Sequence, residues 1–88
     1  MNKDIVEFLG SLFFVYIILN INNPLAIGSA LAIAIIFGGK FSGAHFNPAV
    51  SIALAYKDKV NKNDLFLYIV SQITGGLVAV ELSKRFRI

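Results

Sequence analysis

Apolar residues run along this chain in long stretches, and the charged ones gather between them. No Asp, Glu, Lys or Arg occurs from Phe8 to Gly39, from Phe41 to Tyr56 or from Leu65 to Val80. A half-buried soluble helix or strand would interrupt such runs with polar residues at its own period. These runs are unbroken, so the pattern predicts helices whose solvent is lipid. The first covers about 5–21. Asn20, Asn22, Asn23 and Pro24 then make a tight turn, because Asn tolerates left-handed backbone and Pro suits the first turn of a helix. The second covers about 24–39, roughly 24 Å at the helical rise and a little short of a ~30 Å hydrocarbon core. The glycine-rich stretch from Gly38 to Phe46 is expected to be irregular, and Asn47-Pro48 to open a short helix ending near Tyr56. Loop and short helix together occupy about 40–56. Lys57 to Asp64 reads as a polar loop, 65–82 as a third spanning helix, and Lys84, Arg85 and Arg87 as a basic tail. The fold expected is all-α and membrane-embedded: three transmembrane helices plus one re-entrant half-helix, in a single domain over 1–88.

Composition agrees with the pattern. The chain is 57% hydrophobic with a mean hydropathy of +0.74, and its 15% charged residues fall well below the roughly 25% of a soluble domain. Two stripes of small residues, Ala26-Ala30-Ala34-Gly38 and Ser71-Gly75-Ala79-Ser83, predict close helix packing inside the bilayer. The net charge of +3 sits at segment ends, which suits lipid headgroups and argues against a nucleic-acid face. Lys3 before an apolar run resembles a signal peptide. Asp4 and Glu7 interrupt it, however, and no cleavage motif follows, so the segment is read as retained.

The chemistry is sparse. There is no cysteine and a single histidine, His45, so no metal site is expected. No nucleophile–base pair or paired carboxylates share a segment, so neither an enzyme nor a cofactor is expected. What stands out is the short helix. Asn47 is a good N-cap and Pro48 fits the first helical position. From Pro48 to Tyr56 it would measure about 13 Å, half a bilayer core. Irregular backbone before it is tolerated at membrane depth only where protein buries it or water reaches it. A helix N-terminus carries roughly +0.5 charge. At the midplane of a pore it repels cations, while Asn47 donates and the carbonyls around Gly43, Ala44 and His45 accept from a passing solute.

Ser42-Gly43-Ala44-His45-Phe46-Asn47-Pro48-Ala49-Val50 resembles the first pore loop of the major intrinsic proteins, the aquaporins and glycerol facilitators. Glu7-Phe8-Leu9-Gly10-Ser11 resembles the start of that family's first helix. Tyr68-Ile69-Val70-Ser71-Gln72 with Gly75-Gly76 resembles its third. The resemblance implies a passive channel for water or small neutral solutes such as glycerol. Asn47 with Pro48 and Ala49 would form its pore motif, and Gly43, Ala44 and His45 would supply lining carbonyls. Glu7 would be the buried carboxylate that holds the loop, and Gln72 a polar group inside the bundle. Ile27 falls at the helix-two position of the family's aromatic/arginine constriction. Val50 stands where a second loop would carry the arginine. Family members have six spans and two half-helices in an inverted repeat, whereas this sequence holds three spans and one half-helix.

The implied fold is therefore half of an aquaporin-like bundle that conducts after pairing with a second half. The partner is either another chain or an antiparallel copy, and a higher oligomer is compatible with both. Lys3, Lys40, Lys57, Lys59 and Lys62 against Lys84, Arg85 and Arg87 is a weak orientational bias that permits mixed insertion. The alternatives are a non-conducting truncated relative and a holin-like membrane-lesion or accessory protein.

Overall fold

The structure, a computed structural model, describes residues 1–86; Arg87 of the basic tail lies outside the described residues. It consists of four helices, α1 (Lys3–Asn20), α2 (Pro24–Ser42), α3 (Pro48–Tyr56) and α4 (Lys62–Arg85), and there is no strand among the described residues. Each helix opens on an asparagine. The side chains of Asn2, Asn23, Asn47 and Asn61 accept from the N–H groups of Asp4, Ala26, Ala49 and Asp64 at 2.7, 3.0, 2.7 and 2.9 Å. Each cap satisfies a donor that the first turn leaves without an intrahelical partner. Pro24 and Pro48 follow two of these caps at the first helical position, where a missing N–H costs nothing.

Several boundaries differ from the sequence expectation. α1 and α4 begin earlier than residues 5 and 65, because Asn2 and Asn61 cap them. α4 also runs past Leu82 to Arg85. The larger correction concerns α2. Gly38 and Gly39 do not break it; the helix continues to Ser42 and stops at Gly43, whose φ of 85° is left-handed. Gly38 is helical because its missing side chain makes room for a neighbour: a Cβ there would sit 2.8 Å from the Phe46 ring.

α1 packs against both α2 and α4, and α3 packs against α4. α1 and α4 run parallel. Lys3 pairs with Asp64 at one end (2.7 Å), and Ser83 donates to Asn20 at the other (3.2 Å). Tyr16 also donates to the Phe86 carbonyl at that far end. The two helices touch backbone to backbone at Gly75, where an added Cβ would fall 2.5 Å from the Phe8 carbonyl oxygen. Ala79, one turn on, is completely buried. In the other stripe of small residues, Ala30, Ala34 and Gly38 are buried.

Burial is distributed inside out. The largest fully buried side chains are Glu7, Ser11 and Ser51, while Leu25, Ile36, Phe37, Phe66 and Leu77 are exposed. Water would reject that exterior, and lipid accepts it. α2 and α4 are each long and apolar enough to cross a membrane. α1 matches them in length but carries Lys3, Asp4 and Glu7 in its first turns.

Candidate functional site

The polar interior is organised around Glu7. Its Oε2 accepts from the Ser42 hydroxyl at 2.7 Å and the His45 N–H at 3.0 Å. Its Oε1 accepts from the Phe46 N–H and the Gln72 amide, both at 2.8 Å. Four donors and no acceptor are the complement of a carboxylate. Buried without them, the charge would be prohibitively expensive; with them it becomes the anchor of the molecule. Its partners come from α2, the loop and α4, so one side chain on α1 ties three other segments together.

The loop it holds is strained. Gly43, Ala44 and Phe46 have φ of 85°, 55° and 52°. For the two non-glycine residues this costs of order 1–3 kcal/mol each. The Glu7 bonds to His45 and Phe46 oppose that cost, and so does packing of the Phe46 ring. It lies 5% exposed in a cluster with Val6 and Ala34, seated against Gly10 and Gly38. A Cβ at Gly10 would fall 2.1 Å from that ring. The two glycines thus form the seat of the aromatic wedge that precedes Asn47.

The loop's backbone is used asymmetrically. Every N–H from Gly43 to Phe46 is paired inward: Gly43 to the Gly39 carbonyl, Ala44 to Ser42 Oγ, and His45 and Phe46 to Glu7. The carbonyls of Gly43, Ala44, His45 and Phe46 accept no hydrogen bond among the described residues. Four consecutive acceptors thus lack internal partners, on an exposed Gly43, half-buried Ala44 and His45, and a buried Phe46. They end at Asn47, an exposed residue whose Oδ1 caps α3. The Asn47 amide nitrogen keeps its two donors free among the described residues.

Further bonds extend the Glu7 cluster. Tyr68 donates to the Ser42 carbonyl at 2.5 Å and meets the His45 ring edge-on at 4.7 Å between centroids. Gln72 also donates to Ser51 Oγ at 2.9 Å, and Ser51 Oγ lies 2.7 Å from His45 Nδ1. The structure thus brings Glu7, Gln72, Gly43, Ala44, His45, Asn47, Pro48 and Ala49 to one region. Val50 stands in the first turn of α3, exposed. Ile27 is not with them. It sits half-buried in the first turn of α2, about 22 Å along that helix from Ser42. Sequence reading assigned no role to Ser42, Phe46, Ser51 or Tyr68. Ser51 carried a signal, being the one hydroxyl in the otherwise apolar segment between Ala49 and Ala55. No group of His, Asp and Glu among the described residues could hold a metal ion.

Residues 1–87 match the family profile described as Major intrinsic protein. The chain is 38% identical over 96 residues to Glycerol uptake facilitator protein-like 6 of Lactiplantibacillus plantarum, covering 98% of this chain and 44% of that protein. It is 40% identical over 91 residues to Aquaporin-8 of Rattus norvegicus, covering 91% of this chain and 35% of the relative. Against Aquaporin NIP1-1 of Arabidopsis thaliana the identity is 33% over 94 residues, covering 90% and 31%. The chain thus spans less than half the length of each of these relatives. No solved structure matches it significantly.

Proposed function

The chain belongs to the major intrinsic protein family, and on that premise we propose that it forms one wall of a passive pore for water or small neutral solutes. The row of four carbonyls without internal partners, ending at the exposed Asn47, carries this reading. Such a row replaces the hydration of a neutral solute step by step, and the donors of Asn47 meet the same solute at the helix end. The positive end of α3 opposes cations at that point.

In this reading α1, α2 and α4 cross the bilayer and α3 re-enters it. The helix lengths support it. α4 spans about 36 Å and α3 about 13 Å. Ser51 in the first turn of α3 bonds Gln72, ten residues beyond Lys62, roughly 15 Å into α4. The start of α3 therefore lies level with the middle third of α4. The exposed flank of Asn47, Ala49 and Val50 is the pore-side surface, and a second half-bundle closes the pore against it. That half comes from another chain or from an antiparallel copy. Reporter fusions at the C-terminus separate the two: a mixed orientation supports the antiparallel copy, and a strictly one-sided one eliminates it.

The decisive measurement is osmotic shrinkage of proteoliposomes. Wild-type vesicles are expected to shrink faster than empty ones, and Asn47→Asp vesicles to lose that advantage. Equal rates for wild-type and empty vesicles overturn the reading. So does release of a dye much larger than glycerol, which marks a membrane lesion.

A further inference from the structure

The mechanism above uses the backbone of His45 and leaves its side chain, Ser51 and the second Gln72 bond unexplained. We propose that Gln72 and Ser51 form a positioning relay that fixes the His45 ring in one tautomer, neutral with its proton on Nε2, and so places a side-chain donor beside the row of free carbonyls.

The argument is a count of donors and acceptors. Gln72 Nε2 has two hydrogens. One goes to Glu7 Oε1 at 2.8 Å and the other to Ser51 Oγ at 2.9 Å. The amide is held this way round by Glu7, because turning it over would set the Gln72 carbonyl oxygen against a carboxylate oxygen. The structure keeps that orientation even though Gln72 Oε1 is buried without a partner among the described residues. Ser51 Oγ therefore accepts from Gln72 and still has its own hydrogen to place. Ser51 is fully buried, so that hydrogen needs a protein acceptor. His45 Nδ1, at 2.7 Å, is the other partner of Ser51 Oγ among the described residues. Donation from Ser51 satisfies both Gln72 amide hydrogens and the Ser51 hydrogen. The reverse arrangement, with Nδ1 protonated, would leave the Ser51 hydrogen stranded.

With Nδ1 accepting, the ring proton belongs on Nε2. Nε2 has no hydrogen-bond partner among the described residues, and it lies near Gly43, 3.4 Å from where a Cβ would stand. The half-buried ring is also braced edge-on by Tyr68. Order thus passes from Glu7 through Gln72 and Ser51 to a ring nitrogen that no backbone bond controls. Ser51 is a positioning residue: it acts on the solute only through His45. The consequence for conduction rests on the pore reading; the tautomer does not.

His45 is the single histidine of the chain, so nitrogen NMR of histidine-labelled protein in lipid reads it without ambiguity. Wild type is expected to show one ring species, with Nε2 protonated and Nδ1 bare. Ser51→Ala is expected to lose that preference and give a mixture, and Ser51→Thr, which keeps the hydroxyl, to restore the wild-type spectrum. Gln72→Leu, which frees the acceptor side of Ser51, is expected to give the mixture as well. Protonated Nδ1 or a mixture in wild type overturns the relay, as does an unchanged spectrum in Ser51→Ala. In the shrinkage assay Ser51→Ala is expected to be several-fold slower than wild type, with Ser51→Thr near normal. If wild type itself does not conduct, the pore reading falls, while the wild-type spectrum still decides the relay.

Discussion

The two ends of the α1–α4 pair are held together by different means. Near the start of α1 a buried carboxylate gathers donors from Ser42, His45, Phe46 and Gln72. At the far end the same helices are pinned by neutral bonds, Ser83 to Asn20 and Tyr16 to the Phe86 carbonyl. The first arrangement holds irregular, strained backbone in place; the second only keeps two regular helices in register. A full charge is used where backbone has to be held outside its preferred conformation. Where helix meets helix, small residues, single hydroxyls and the Lys3–Asp64 pair make the contact.

That contrast can be broken most sharply at Glu7. Glu7→Gln keeps the shape but sets an amide nitrogen against donors, leaving at least one of them unsatisfied. A loss of about 3 kcal/mol is expected, read as unfolding in mixed micelles, with amide exchange at His45 and Phe46 rising before the rest. Uniform exchange across the chain would show that the charge holds the whole bundle and not the loop. Between the two ends lies Gly75, whose neighbours are the backbone atoms of Phe8 and Leu12. Backbone cannot rotate away, so Gly75→Ala should force α1 from α4 at a cost of about 2 kcal/mol, measured as a lowered thermal midpoint. The far-end pin is worth less: Ser83→Ala should lose about 0.6 kcal/mol and leave exchange at His45 and Phe46 unchanged. Smallest is Gly28, with nothing within 4 Å of an added Cβ. Gly28→Ala should stabilise α2 by about 0.5 kcal/mol, and a destabilised variant would reveal a close neighbour at that face.

Much of this arrangement can be read from the residues alone. Unbroken apolar runs announce the helices, and Asn47-Pro48 marks the start of α3 because cap and first-turn requirements are local. Glu7 was assigned to the loop through its resemblance to a family pattern. Its burial could not have come from its own position, five residues after the polar N-cap Asn2. The end of α2 was misplaced for a physical reason. Gly38-Gly39 carries the signature of a break, yet Gly38 is kept by packing, and the stop belongs to Gly43. Packing partners separated by tens of residues leave no local trace. The pairing of Tyr68 with Ser42 and of Ser51 with Gln72 belongs to that class, as does the seat that Gly10 and Gly38 provide for Phe46.

Glu7 also sets an order of events. Synthesis proceeds from the N-terminus, and the donors reach the carboxylate in sequence: Ser42 with the end of α2, then His45 and Phe46, and last Gln72, 65 residues downstream. Until α4 arrives, one lone pair of a charged group inside the nascent bundle has no partner, and the strained loop lacks its Ser51–Gln72 tie. The set of donors around Glu7 is therefore complete only once α4 has joined the other helices.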